Sequence, residues 1–275
     1  MKTKPNFRII RNAVLSIFMT TALISCQKEE LSNETSQEIP TSQLSKEVKE
    51  KLFSLGVNAN YAEEYTSTDA NGLSREGWLI GDIFIPKKDL FEMPSLDVNP
   101  KNGQKAYRTT NLVARNRTYT MDKSRLPRQL QDALGEAARR FNALRLSIRL
   151  SVVDNPAADM LFTATAGTNQ ADFPAGNMPG RNILISRNLM HSHISTEFLM
   201  HEIGHAIGLR HSDWQTRRSC PGPNVNEGHA GVGAIHIAGT AVSGDRVNSL
   251  MVACGDPVGD NFYGDDRKAL EALYK

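Results

Sequence analysis

Residues 201–213 read His-Glu-Ile-Gly-His-Ala-Ile-Gly-Leu-Arg-His-Ser-Asp, and three histidines at this spacing dictate the local chain path. His201 and His205 are four apart, so on a helix their imidazoles share one face, a turn apart, and can reach one cation. Glu202 follows the first histidine, where its carboxylate can stand beside a metal without ligating it. Gly208 can take positive φ without a Cβ clash and lets the chain turn sharply out of the helix. His211 is then delivered from below as a third ligand. Three neutral nitrogens and an open fourth position suit one catalytic Zn2+ ion, which acidifies water. A structural zinc site would close the fourth position with a protein ligand, usually Cys, and would leave Glu202 without a role. A core helix with scattered histidines is the plain alternative.

Helical spacing also appears at 44–55, where Leu44, Val48, Leu52 and Leu55 share a face, Ser45 can cap and Gly56 can stop the helix. Residues 77–85 read as a strand pair or a bulged strand. Together 44–92 form a small α+β unit, and 93–106, rich in turn formers, form a linker. The main domain begins near Tyr107. Strands are expected at 117–121, 144–153, 159–165 and 182–186, and helices at 126–143, 195–208 and 265–274. The stretches 166–181 and 212–248 read as loop, rich in glycine. His191 and His193 read as surface residues. His229 and His236, within 212–248, could line a cleft. Asp213, two residues past His211, reads as a group that fixes the loop or supports the ligands.

The N-terminus reads as an address. Lys2, Lys4, Arg8 and Arg11 precede an apolar or small run at 13–25, and Cys26 follows at once. The run is too short to span a bilayer as a helix and fits the hydrophobic region of a secretory signal. The formal charge of +2 is carried by this segment; beyond it 28 Lys and Arg face 30 Asp and Glu, and no basic patch that would track nucleic acid is implied. Leu23-Ile24-Ser25-Cys26 resembles a bacterial lipobox, in which the cysteine is lipidated; an ordinary signal peptide with a chance cysteine is the alternative. Gln27-Lys28-Glu29-Glu30 resembles a surface-export signal of bacterial lipoproteins, or is the start of a solvated tether. Residues 26–43 are polar and read as a flexible leash. Lipidation would leave Cys220 and Cys254, which in an oxidising envelope pair in a disulfide or stand as unrelated thiols; pairing is favoured because the motifs would bring both segments under one site.

The pattern HExxHxxGxxH resembles the metzincin clan of zinc endopeptidases. The wording of 201–213 is similar to the dual-action HEIGH metallopeptidase family of bacterial secreted and lipid-anchored enzymes. Supporting matches are Tyr107-Arg-Thr-Thr, Ile237-Ala-Gly-Thr240, Asp245 and Ser249-Leu250-Met251, and the ending Asp266…Ala269-Leu270…Leu273-Tyr274. The resemblance covers roughly 107–275. Ala238 departs from an expected proline, and Ala253 stands where astacins and serralysins carry a tyrosine that contacts the metal. The resemblance implies an α+β fold: a mixed sheet on an N-terminal helix and the active-site helix, then an irregular C-terminal subdomain with a Met-turn and a closing helix. It implies His201, His205 and His211 as zinc ligands, Glu202 as general base, Met251 as the floor under the imidazoles, and an edge strand between 163 and 176 that binds extended substrate. The unit at 44–106 is prosegment-like. It has no cysteine to latch the metal, but Gly81-Asp82-Ile83 resembles a motif of astacin propeptides whose aspartate occupies the zinc. Asp82 is thus either a latency ligand or a solvent-facing residue beside a turn glycine.

The function expected is a zinc-dependent endopeptidase acting on proteins or peptides. It would be a monomer tethered by lipid to the bacterial envelope as an outer-membrane, and further a surface-exposed, lipoprotein. The competing reading is a non-catalytic surface lipoprotein that uses a metal-stabilised fold for adhesion or binding. Glu202 discriminates, because a mere binder has no use for a carboxylate beside the first ligand.

Overall fold

The structure is a computed structural model that describes residues 44–55, 59–69, 71–92, 106–221, 226–228, 232–240, 249–254, 262 and 264–275. The signal at 1–25, Cys26, the tether at 26–43, the linker residues 93–105, His229 and Asp245 lie outside the described residues. The described residues belong to one compact unit, Pro40–Lys275, and two main apolar clusters form within it.

The smaller cluster lies in the N-terminal part. Helix α1 (Lys46–Ser54) starts where the Ser45 side chain accepts from Val48 N, and it buries Leu52. Strands β1 (Glu63–Thr68), β2 (Ser74–Ile80) and β3 (Ile83–Pro86) form an antiparallel sheet in that order, followed by the single turn α2 (Lys87–Leu90). The 77–85 region is therefore a hairpin that turns at Gly81-Asp82, with Gly81 at φ +68°. The first strand is not legible as one, because Glu-Glu-Tyr-Thr-Ser-Thr buries Ser67 alone. Leu52, Leu55, Trp78, Ile80, Ile83, Ile85 and Leu90 close this core.

The larger cluster begins at Ala106, just before β4 (Tyr107–Arg108). Strand β5 (Arg117–Arg125) runs four residues past the expected end and leads into α3 (Arg128–Ala143), which buries Leu130, Leu134, Ala137, Ala138 and Phe141. The expected strand 144–153 is corrected: β6 is Ile148–Val153. Leu144 caps α3 and Arg145 turns at φ +54°, so the alternation of Leu144 and Leu146 belongs to a helix exit. Then come β7 (Met160–Thr165), β8 (Gln170–Ala171) and β9 (Asn182–Ser186). The sheet order is β6-β5-β7-β9-β8, all parallel except β8, which pairs antiparallel with β9 at one edge. The stretch 166–181 thus holds a short edge strand, inside the expected 163–176 window. Helix α4 (Ser195–Ile207) packs with α3 against this sheet, and α5 (Gly264–Tyr274) closes the cluster, its Tyr274 hydroxyl donating to Ile207 O at the end of α4. Among the described residues no helix is long and apolar enough to cross a membrane.

Candidate active site

Helix α4 is buried on nearly every side. Leu199, Met200, Ile203, Ala206 and Ile207 join the larger core, while His201, Glu202 and His205 occupy the other face, as their spacing requires. The helix stops at Gly208, φ +112°, a conformation that an L side chain adopts only under strain. A Cβ there would also lie 2.7 Å from Leu112 Cδ2 and 3.1 Å from Thr109 Oγ1. Beyond the turn, β10 (Leu209–Arg210) pairs with β4, whose other edge takes β11 (Ile235–His236). Pairing with β4 fixes the direction of the chain and delivers His211 beneath the helix.

The three imidazoles converge through Nε2. The separations are 3.1 Å for His201 to His205, 3.1 Å for His205 to His211 and 3.3 Å for His201 to His211. Every Nδ1 is committed: His201 donates to Leu250 O at 2.7 Å, His205 to Leu209 O at 2.8 Å and His211 to Glu227 Oε1 at 2.6 Å. In the neutral, metal-holding form of each ring those donations put the proton on Nδ1 and leave the Nε2 lone pair facing inward, whereas a charged ring carries a second proton on Nε2, facing Asp82. Asp82, from the hairpin turn, points Oδ2 into the same centre, 3.2 Å from His201, 3.5 Å from His205 and 3.0 Å from His211. These four residues form a group able to hold a metal ion. The donor spacing fits, since ligands about 2.0–2.1 Å from a tetrahedral zinc stand roughly 3.3 Å apart.

Glu202 lies beside the group, buried, and its Oε2 has no hydrogen-bond partner. Burial, reinforced by the Asp82 carboxylate, pushes the Glu202 carboxyl well above the usual range against the opposing pull of His211. Burial would also raise Asp82, but the charge of His211 and hydrogen bonds from the three imidazoles outweigh it and hold the carboxyl low. Burial lowers His205 to about 4 despite Asp82. His211 is buried too, yet Asp82 and Glu227 carry it up to about 10.

Glu227 escaped the sequence reading. It is buried, accepts from His211, and is met by Arg217 Nη1 at 2.7 Å and Arg210 Nη2 at 3.5 Å. Nothing in its local pattern marks it, because it comes from the irregular stretch that the turn at Gly208 folds back. Met251 packs under α4 at Gly204, where a Cβ would lie 2.5 Å from Met251 Sδ. Its turn is tied by Ser249 Oγ and Leu250 N donating to Asp266, at 2.6 and 2.8 Å. Asp213 accepts from Ser219 and from Ala253 N, joining the loop after His211 to the segment after Met251. Cys220 and Cys254 are joined in a disulfide across that junction, with Cα atoms 4.8 Å apart. His191 and His193 are exposed, and Ala238 lies on an exposed loop. His236 is not brought to the centre: β11 turns it toward Tyr107 and Thr240.

The family model of the dual-action HEIGH metallo-peptidases matches residues 78–274. The chain belongs to this family. The match takes in the end of β2, the Gly81-Asp82 turn and β3, and it runs to the end of α5 in this metallopeptidase. No curated protein matches the metallopeptidase. Two solved structures, titled "Structure of myroilysin" and "Crystal structure of myroilysin", are similar at 12% and 13% identity, with TM-scores of 0.45 and 0.41. They cover 62% and 64% of this chain and 98% and 88% of their own.

Proposed function

We propose that the chain is a zinc endopeptidase of metzincin type, made latent by its own hairpin. The observation that carries this reading is the convergence of three Nε2 atoms, each with its Nδ1 committed, beside a buried carboxylate whose Oε2 is unpartnered. His201, His205 and His211 hold the ion. When bound, zinc supplies a Lewis acid that acidifies water and polarises a peptide carbonyl. Glu202 takes a proton from the attacking water as its oxygen bonds to the carbonyl carbon. The same carboxyl then gives that proton to the amine nitrogen as the C–N bond breaks. A carboxyl pKa raised by burial suits a group that must both accept and donate. Met251 forms the floor below the imidazoles, and β8, the edge strand of the sheet, receives an extended substrate once the hairpin is withdrawn.

Asp82 is the latency ligand. Its Oδ2 stands at the fourth donor position, and the hairpin that carries it lies beside β8. Arg75 of β2 pairs with Asp172, just past β8, at 3.1 Å, and Phe173 packs into the smaller core. These contacts support reading 44–106 as an inhibitory prosegment and 107–275 as the peptidase domain. The basic start, the apolar run and Cys26 support reading 1–25 as a lipoprotein signal, Cys26 as the lipid attachment and 26–43 as the tether of an outer-membrane lipoprotein.

The test is casein cleavage by the full-length chain. Asp82→Ala is expected to raise the rate, and Asp82→Ala with Glu202→Ala to abolish it. Cleavage that survives loss of Glu202 contradicts the proton role. A rate unmoved by Asp82→Ala contradicts the latch.

A further inference from the structure

A cavity of about 430 Å³ opens beside His201 and Glu202, walled by Phe198, Val252 and Ala253 and reaching the Gly81-Asp82 turn. Its lining contains one guanidinium, that of Arg217. Three features set this side chain apart. First, the residue sits at φ +44°, which costs energy in a non-glycine and persists where the surroundings impose it. Here Arg217 N donates to Asp213 O at 2.7 Å and its carbonyl accepts from Cys220 N at 2.8 Å. Second, the guanidinium lies directly against Gly81, so that a Cβ on that glycine would collide with Nη1 and lie 2.7 Å from Nη2. Third, its hydrogen bonding is uneven: Nη1 meets Glu227 at 2.7 Å, whereas Nη2 meets the disulfide sulfur of Cys254 at 3.4 Å, a weak acceptor.

The charges around it point the same way. Among the described residues Arg210 and Arg217 share one carboxylate, Glu227; the cavity's other acidic side chains are Glu202 and, brought in by the hairpin, Asp82, whose charge is the one that can leave. A turn that withdraws Gly81-Asp82 uncovers the guanidinium and removes that charge together. A partly buried cation left short of countercharge favours an anion in its place. Because Arg217 touches the residue next to Asp82, the anion it receives lies close to the position where Asp82 now meets the imidazoles. Resting on the peptidase reading above, we infer that Arg217 is a specificity-determining residue. It selects substrates with an aspartate or glutamate side chain adjacent to the bond that is cut, held by charge-assisted hydrogen bonds.

The experiment uses the full-length Asp82→Ala chain and a proteome-derived peptide library. Cut sites are expected to be enriched in Asp or Glu within two residues of the cleaved bond. Arg217→Gln removes the enrichment, Arg217→Lys keeps part of it, and Arg217→Glu shifts it toward Lys and Arg. A binding measurement is independent of turnover: the Asp82→Ala, Glu202→Gln chain is titrated with acetylated Ala-Ala-Ala-Asp-Ala-Ala and with its Asn counterpart. The acidic peptide is expected to bind about tenfold tighter, as hydrogen bonds to a charged group warrant, and Arg217→Gln equalises the two. Cleavage without acidic enrichment overturns the inference and leaves the peptidase reading standing. Tighter binding of the acidic peptide with no cleavage does the reverse. Equal binding of the two peptides, or binding of neither, also overturns it.

Discussion

At the scale of single residues, the centre depends on what holds each imidazole from behind. Leu250 O and Leu209 O fix two rings through backbone, while His211 depends on the Glu227 side chain. Glu227→Gln keeps the shape and removes the charge that Arg210, Arg217 and His211 share. Such partners of a ligating histidine support metal affinity by about 10–100-fold. We expect Glu227→Gln to weaken metal binding by that order, read by competition with a chromophoric chelator; an unchanged affinity contradicts the role given to Glu227. The three converging histidines are legible in the sequence because four-residue spacing and a glycine exit are local rules. Glu227 is not, because it reaches His211 across 16 residues of irregular chain with no period to read. Asp82 is legible only as one of two readings, since three residues of similarity cannot tell a ligand from a turn.

At the scale of elements, the long periodic segments are read well and their ends less so. The strand at 182–186 and the helices at 126–143, 195–208 and 265–274 fall within two residues of the observed bounds. The strand start moves from 144 to 148 because Leu144 and Leu146 satisfy strand alternation while Leu144 caps a helix and Leu146 follows its exit turn. The antiparallel β1 goes unseen because its sequence is polar and mostly exposed. The loop after His211 has little regular structure, so Asp213 and the Cys220–Cys254 bond carry its shape. The bond spans 34 residues. Replacing both cysteines by serine is expected to cost about 2–4 kcal/mol of stability in denaturant unfolding. A loss near zero means that Asp213 and its partners hold the junction alone.

At the scale of the whole molecule, the larger core joins sheet, α3, α4 and α5, and so couples the helix that carries His201 and His205 to the fold. Leu134 is completely buried at the centre of α3. Leu134→Ala is expected to cost about 2–5 kcal/mol, measured as a shift of the urea midpoint. A smaller cost means that the site can collapse around the cavity. The smaller core, with Trp78 and Ile80 leading into the Gly81-Asp82 turn, gives the hairpin its own support. That division is what a segment needs if it is to occupy a cleft and later leave it.

The central claim is that His201, His205 and His211 hold one zinc ion. The direct measurement is metal per chain, by elemental mass spectrometry, on the folded full-length protein and on its His201→Ala, His205→Ala variant. About one zinc per chain is expected in the first and none in the second. Folded protein that binds no zinc, or a variant that retains it, means that these histidines are not the ligands.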